Sequence, residues 1–289
     1  MKLYYFKKKE GNFGDDLNDW LWRQFFPNTF DEDDSVVFFG IGTIINDRIY
    51  DRAPNAKKII IFGSGVGYGK TPLKNLPIIN EKWSVYCLRG PLSSNALGLE
   101  PEKAVTDGAI LIRRLFKPHK EKVYKFSYMP HVDQAEKHAH RWQSICQKIG
   151  FGFIDPRWQR EDVLNTLCQT EILITEAMHG AIVADALRIP WIPVKTARNI
   201  FEFKWWDWCV SVGLHYEPRL MQGFSEKKNG FLVATEWMAE KAIINQFMEI
   251  TKSPSPFLSK ESKVEQLTIK MEEAVEYLRK DISSGIFSN

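Results

Sequence analysis

The sequence predicts an α/β protein of two Rossmann-like domains facing a cleft, with a C-terminal helical extension. Three observations carry this. Short runs that are apolar on both faces alternate with helix-spaced patterns from the first residues on, as parallel βαβ units require. Several of those runs end in glycine-bearing switches. The pattern breaks at 116–122, around Pro118, and then restarts. The expected bounds are 1–117 and 122–252 for the two domains and 257–289 for an amphipathic C-terminal helix.

The first strand is expected at 2–6, followed by the turn Gly11-Asn12-Phe13-Gly14. Asp15 then caps a helix whose apolar positions, Leu17, Trp20, Leu21 and Phe25, are three or four apart. Strands at 36–39, 58–62 and 84–88 lead into Gly40-Ile41-Gly42, Gly63-Ser64-Gly65 and Arg89-Gly90-Pro91, with helices expected from Thr43 and after Pro91. The second half reads as strand 124–129, helix 134–149, strand 151–154, helix 160–168, strand 171–175, helix 178–187 and strand 191–194. Ser253-Pro254-Ser255-Pro256 stops a helix. The last helix carries Val264, Leu267, Met271, Ala274, Val275, Leu278 and Ile282 on one face, for packing on its own domain or as an oligomer seam. No fixed-period repeat is visible.

Apolar residues make up 44 % and charged residues 26 % of the chain, ordinary for a globular protein. The net charge of +3, with both signs mixed throughout, argues against nucleic acid, whose binders carry a basic stripe. Cys87, Cys146, Cys168 and Cys209 lie far apart, which fits free thiols in a reducing compartment. The start lacks a signal-peptide layout, and the longest apolar runs fall far below the ~18 residues of a spanning helix. A cytoplasmic protein is expected, with peripheral contact at the inner face of the membrane left open.

The segment from Phe62 to Gly69-Lys70-Thr71 imitates a phosphate-binding P-loop, but Ser64 stands where that motif needs its first glycine, and Pro72 bars the helix. The glycines of Gly63-Ser64-Gly65 let backbone N–H groups approach a ligand, or simply make a tight turn. In Glu176-Ala177-Met178-His179-Gly180, a strand runs straight into a helix. That places His179 at a helix N-terminus, where bare N–H groups favour an anion and Gly180 keeps the turn small. A packed structural histidine is the plainer alternative. Arg89 sits at a similar switch, suited to a bidentate grip on carboxylate or phosphate, or paired with Asp107 or another acid of the same half. Asp15 and Asp16 could be helix caps, while Asp16 and Asn12 suit sugar hydroxyls. No His, Asp or Glu cluster has metal-ligand spacing.

Taken in order, Asn12-Phe13-Gly14-Asp15-Asp16, Gly40-Ile41-Gly42-Thr43, Gly63-Ser64-Gly65, Leu88-Arg89-Gly90-Pro91-Leu92-Ser93, Val105-Thr106-Asp107-Gly108-Ala109 and Met178-His179-Gly180-Ala181-Ile182 resemble the polysaccharide pyruvyl transferase family. The likeness is to members acting in exopolysaccharide synthesis of the succinoglycan type, and it covers roughly 1–194. It implies a fold similar to the GT-B glycosyltransferases, phosphoenolpyruvate as donor substrate, no cofactor, and an arginine and a histidine as key residues. These two roles carry over to Arg89 and His179. Many members have an arginine two residues before the histidine, where this chain has Ala177.

On that resemblance, Arg89 grips the donor with help from the helix N-terminus at 178–180, and protonated His179 delivers a proton to the methylene carbon. Asp16 or Asp107 takes protons from the acceptor hydroxyls. Asn12, Gly14, Asp15, Gly63, Ser64, Gly65, Asp107, Glu176, Met178 and Gly180 complete the expected substrate-binding set. The partners implied are phosphoenolpyruvate and a sugar acceptor, free or lipid-linked, and an oligomer through the C-terminal helix stays open. Trp205, Trp206 and Trp208 with Phe201 and Phe203 form an aromatic cluster for sugar or lipid contact, or core. A nucleotide-sugar glycosyltransferase and a non-catalytic carbohydrate-binding component are the rival readings. Against the former stand His179 and the absence of a second acid seven residues after Glu176, where Val183 lies.

Overall fold

A computed structural model describes residues 1–117, 121–196, 200–224 and 232–287. The first half runs β1 (Lys2–Tyr4), α1 (Phe13–Phe25), β2 (Val36–Phe39), β3 (Thr43–Ile45), α2 (Ile49–Arg52), β4 (Lys58–Val66), β5 (Trp83–Leu88), α3 (Pro91–Ala96) and α4 (Ile112–Leu115). Its strands pair in parallel, β1 on β2, β2 on β4, and β4 on both β3 and β5. The expected connection at 116–122 has its centre, 118–120 with Pro118, outside the described residues.

Three expectations for this half are corrected. Asp15 does not cap α1: Asn12 holds the N-cap position and Asp15 lies inside the first turn. No helix starts at Thr43: the β-branched Thr43-Ile44-Ile45 continues as β3 against the far end of β4. Nor does β4 stop before Gly63-Ser64-Gly65; it extends to Val66 and is buried from Ile59 onward. These residues make no open ligand loop. Ser64 turns its hydroxyl onto the carbonyls of Phe39 and Gly40. Gly63 has φ +76° and lies so close to Gly108 that a Cβ would sit 2.6 Å from the Gly108 nitrogen, so only glycine fits.

The second half holds β6 (Tyr124–Met129), α5 (Val132–Lys148), β7 (Gly152–Phe153), α6 (Arg160–Cys168), β8 (Thr170–Thr175), α7 (Met178–Ala186), β9 (Trp191–Lys195), α8 (Phe203–Ser211), β10 (Arg219–Leu220) and α9 (Leu232–Lys252). Its sheet is all parallel in the order β7-β6-β8-β9-β10. The order reverses between β6 and β8. In a doubly wound sheet that reversal opens a crevice at the carboxyl ends of the two strands.

One apolar cluster runs through both halves, from Trp22, Phe38 and Phe62 to Met178, Ile182 and Trp191. The last helix, α10 (Glu261–Ser283), joins it. Val264, Leu267, Met271, Val275 and Leu278 are buried there, and Asp281 accepts a hydrogen bond from Tyr86 of β5. The apolar face of α10 is therefore spent inside the chain, against the first half rather than the second half that precedes it. Phe257, just before it, pairs with Trp191 of β9. All four cysteines are free and buried. Among the described residues, no helix is long and apolar enough to cross a membrane.

Candidate functional site

Three helices start around one small pocket. Asn12, Phe13 and Gly14 come from the start of α1, His131 and Val132 from the start of α5, and 177–180 from the start of α7; Met129, Pro156 and Lys204 complete the lining. The α5 and α7 starts follow β6 and β8, so this is the reversal point of the second sheet. In α7 the first intrahelical bond runs from the Ala181 N–H to the Ala177 carbonyl, 3.2 Å. The N–H groups before it have no carbonyl in their own helix, and the helix dipole adds positive potential. The pocket is thus built for negative charge. Its volume, about 50 Å³, is well below the ~300–1,000 Å³ of drug-sized ligand sites.

His179 stands between the two halves. Its Nε2 lies 3.6 Å from Oδ2 of Asp107, a carboxylate with no exposed surface. Asp107 Oδ1 accepts the Ala109 N–H at 3.0 Å. Among the described residues neither Asp107 Oδ2 nor His179 Nε2 has a hydrogen-bond partner, so each is the other's nearest complement. The opposite edge of the imidazole rests on Gly14: a Cβ there would fall 2.0 Å from Nδ1.

Lys204, on the second residue of α8, is 8 % exposed and lines the pocket. Its ammonium donates to the Tyr68 hydroxyl at 3.0 Å and sits 5.4 Å from that ring's centre. His131 accepts the Asp133 N–H on Nδ1 at 3.3 Å, which leaves Nε2 to carry the proton of the neutral ring. Burial first, then the Lys204 charge, depress its pKa from 6.5 to about 4, with Asp133 pulling the other way. Asp15 is half-buried, and burial lifts its carboxyl from 3.8 to about 6. The charge of His179 and a 2.6 Å bond from the Asn12 amide oppose that rise, followed by Lys204.

Of the sequence-expected residues, Asn12, Gly14, Met178, His179 and Gly180 line the pocket, with Asp15 and Asp107 beside them. Glu176 is buried behind it, accepting from Thr196. Asp16 is exposed and accepts the Asn12 N–H at 2.8 Å, a role in starting α1. Gly63, Ser64 and Gly65 are buried in β4. Arg89 has no exposed surface: Nε meets Asp207 at 3.1 Å and Nη1 meets Thr43 at 2.7 Å. Its partner acid lies in the other half, not the same one. Gly65 makes room for it, since a Cβ there would lie 2.1 Å from Nη2.

Lys204 and His131 were not singled out from the sequence. Lys204 is embedded in the aromatic run that includes Trp205 and Trp208, both core residues, while Trp206 is exposed. The spacing alone does not tell which side of α8 faces the pocket. His131 precedes an acid in the first turn of α5, an N-cap signal that could have drawn attention to it.

The chain is similar in sequence to known proteins. The polysaccharide pyruvyl transferase family profile matches residues 2–198. The chain is also 39 % identical over 222 residues to the succinoglycan biosynthesis protein ExoV of Rhizobium meliloti (strain 1021), covering 76 % of this chain and 67 % of that protein.

Proposed function

The chain belongs to the polysaccharide pyruvyl transferase family, and from that membership we propose that it moves the pyruvyl group of phosphoenolpyruvate onto two hydroxyls of one sugar in an exopolysaccharide or capsule repeat unit, releasing phosphate. The observation that carries this reading is the small pocket where the starts of α1, α5 and α7 meet beside Lys204 and His179. A three-carbon trianion needs a cation and N–H donors in little space.

In this reading Lys204 and the 178–180 N–H groups hold the phosphate and carboxylate. Arg89 supports the site from behind rather than gripping the donor. His179, backed by Asp107, is the general acid, and Nδ1 delivers its proton to the methylene carbon. The first sugar hydroxyl bonds to the resulting oxocarbenium-like carbon as Asp15, with a carboxyl near 6, takes its proton. The C–O bond to phosphate breaks, the second hydroxyl closes the ketal, and its proton leaves with the phosphate, so the balance closes. Neutral His131 offers an N–H donor. The halves 1–117 and 122–252 act as two domains in the manner of the GT-B glycosyltransferases. The acceptor, free or lipid-linked, enters from the solvent side.

The test is phosphate release from phosphoenolpyruvate with and without a glucoside or galactoside acceptor. Acceptor-dependent release is expected, and His179→Ala should lower it by about 10²–10⁴-fold, the scale of one general acid, without shifting thermal unfolding. Normal turnover in that variant would remove His179 from the chemistry. No release with any acceptor, together with binding of a nucleotide sugar, would overturn the reaction class.

A further inference from the structure

We propose that a second cavity, a groove between the turn after β3 and the long loop after β4, holds the neutral sugar units that flank the reacting unit of the acceptor. This rests on the reading above that the acceptor is a glycan, and adds where the rest of that glycan lies. The groove encloses about 440 Å³, within the range of ligand sites and far larger than the pocket beside His179. Asn46, Asp47, Tyr50, Asn75, Ile78 and Asn80 line it.

That lining carries no lysine, arginine or histidine, so it has no cation for a phosphate, a carboxylate or a nucleotide. It offers amides, which both donate and accept, as sugar hydroxyls do. Asn75 and Asn80 are exposed. Asn75 donates to Thr71 at 3.4 Å, and Asn80 accepts the Lys82 N–H at 3.1 Å. Among the described residues, the other end of each amide makes no bond. Tyr50 is 46 % exposed, and its ring is set edge-on to Trp83 with centres 6.1 Å apart. It presents an apolar face with a polar tip, which suits the C–H side of a pyranose.

The loop after β4 touches residues of both cavities. Tyr68 receives the Lys204 ammonium on its pocket side. Gly69 packs on Asn46 and Asp47, and the Asp47 carboxylate accepts the N–H groups of Lys70 and Thr71 at 3.1 and 3.3 Å. Tyr68 is also a non-glycine residue at φ +56°, and its ring lies 5.2 Å from Phe201. A bulky side chain persists in that strained region only where its surroundings hold it. Here they hold an aromatic platform, 40 % exposed, against Lys204 of the pocket.

The experiment compares a neutral oligosaccharide of glucose and galactose with methyl glucoside and methyl galactoside, in Tyr50→Ala and Asn75→Ala. The expected result is an increase of about tenfold in KM for the oligosaccharide. KM for the methyl glycosides, KM for phosphoenolpyruvate and kcat should be unchanged. Ligand-observed NMR of the same oligosaccharide, without donor, separates this proposal from the reaction itself. Binding by the parent and by His179→Ala, lost in Tyr50→Ala, supports the groove even if no phosphate is released. No binding by the parent, or equal binding by all variants, overturns it.

Discussion

His179 carries its imidazole into the space that a side chain at position 14 would fill, and the two residues come from different halves of the chain. A methyl group at Gly14 would stand 2.0 Å from Nδ1, so the histidine must move if the glycine is replaced. Gly14→Ala should lower stability by about 1–3 kcal/mol, the cost of overpacking, because the methyl overlaps the His179 side chain down to its Cβ. Turnover should fall at least tenfold as well. Phosphate release and thermal unfolding on one preparation check this, and intact turnover would show that His179 needs no such seat. Asp15 and His131 set opposite pH dependences. Between 3.8 and about 6 the folded chain keeps a proton on Asp15 that the unfolded chain has lost, so this group adds stability as pH falls. Between 6.5 and about 4 the unfolded chain binds a proton that buried His131 refuses, so that group removes stability as pH falls. Asp15→Asn leaves only the second effect. Its melting temperature should drop more steeply than the parent's from pH 6 down to about 4, and parallel curves would contradict the burial of Asp15. If Asp15 is the base, the acid limb of the kcat profile near pH 6 also disappears in this variant, at a much lower rate.

At the level of elements, α8 and α10 do what their amphipathic patterns could not assign to a location. α8 points Trp205 and Trp208 into the core against Trp191, while Lys204 reaches the pocket and Trp206 reaches solvent. The aromatic cluster is therefore mostly packing, and the functional residue is the lysine among them. α10 buries its stripe of apolar residues on the first half after a strap that pairs with β9. Leu278 has no exposed surface, so Leu278→Ala should cost about 2–5 kcal/mol, the range for deleting a large buried aliphatic group. A urea midpoint measures it. A cost under 1 kcal/mol would mean that the helix end is not docked in solution. The extension of β4 through Gly63-Ser64-Gly65 has the same lesson. Glycines after an apolar run read as a loop by composition, but here they allow close approach of Gly108 and of the Arg89 guanidinium.

Across the whole molecule, the two halves are joined by charge as well as by a common apolar cluster. Arg89 and Asp207 are both fully buried and 3.1 Å apart. Asp207 also accepts the Ser93 N–H at 2.9 Å, and Arg89 bonds Thr43. Asp207→Ala would leave a buried guanidinium without its counter-charge, so a loss of about 3–5 kcal/mol is expected. Restoring much of that loss with Arg89→Met in the same chain, read from chemical unfolding, would identify the unpaired charge as its cause. No recovery would place the loss in packing instead. The sequence by itself determined the α/β class, the strands and helices from 124 to 194, the switch at 176–180 and the family. Those features are local: apolar periodicity, caps and short motifs are written in neighbouring residues. Only the tertiary structure decided that Arg89 is an internal strut, that Asp16 starts a helix, that Lys204 and His131 face the pocket, and that Asp107 backs His179. Each of these depends on which surfaces of distant segments meet, and burial, pairing and the resulting pKa shifts exist only once the chain has folded.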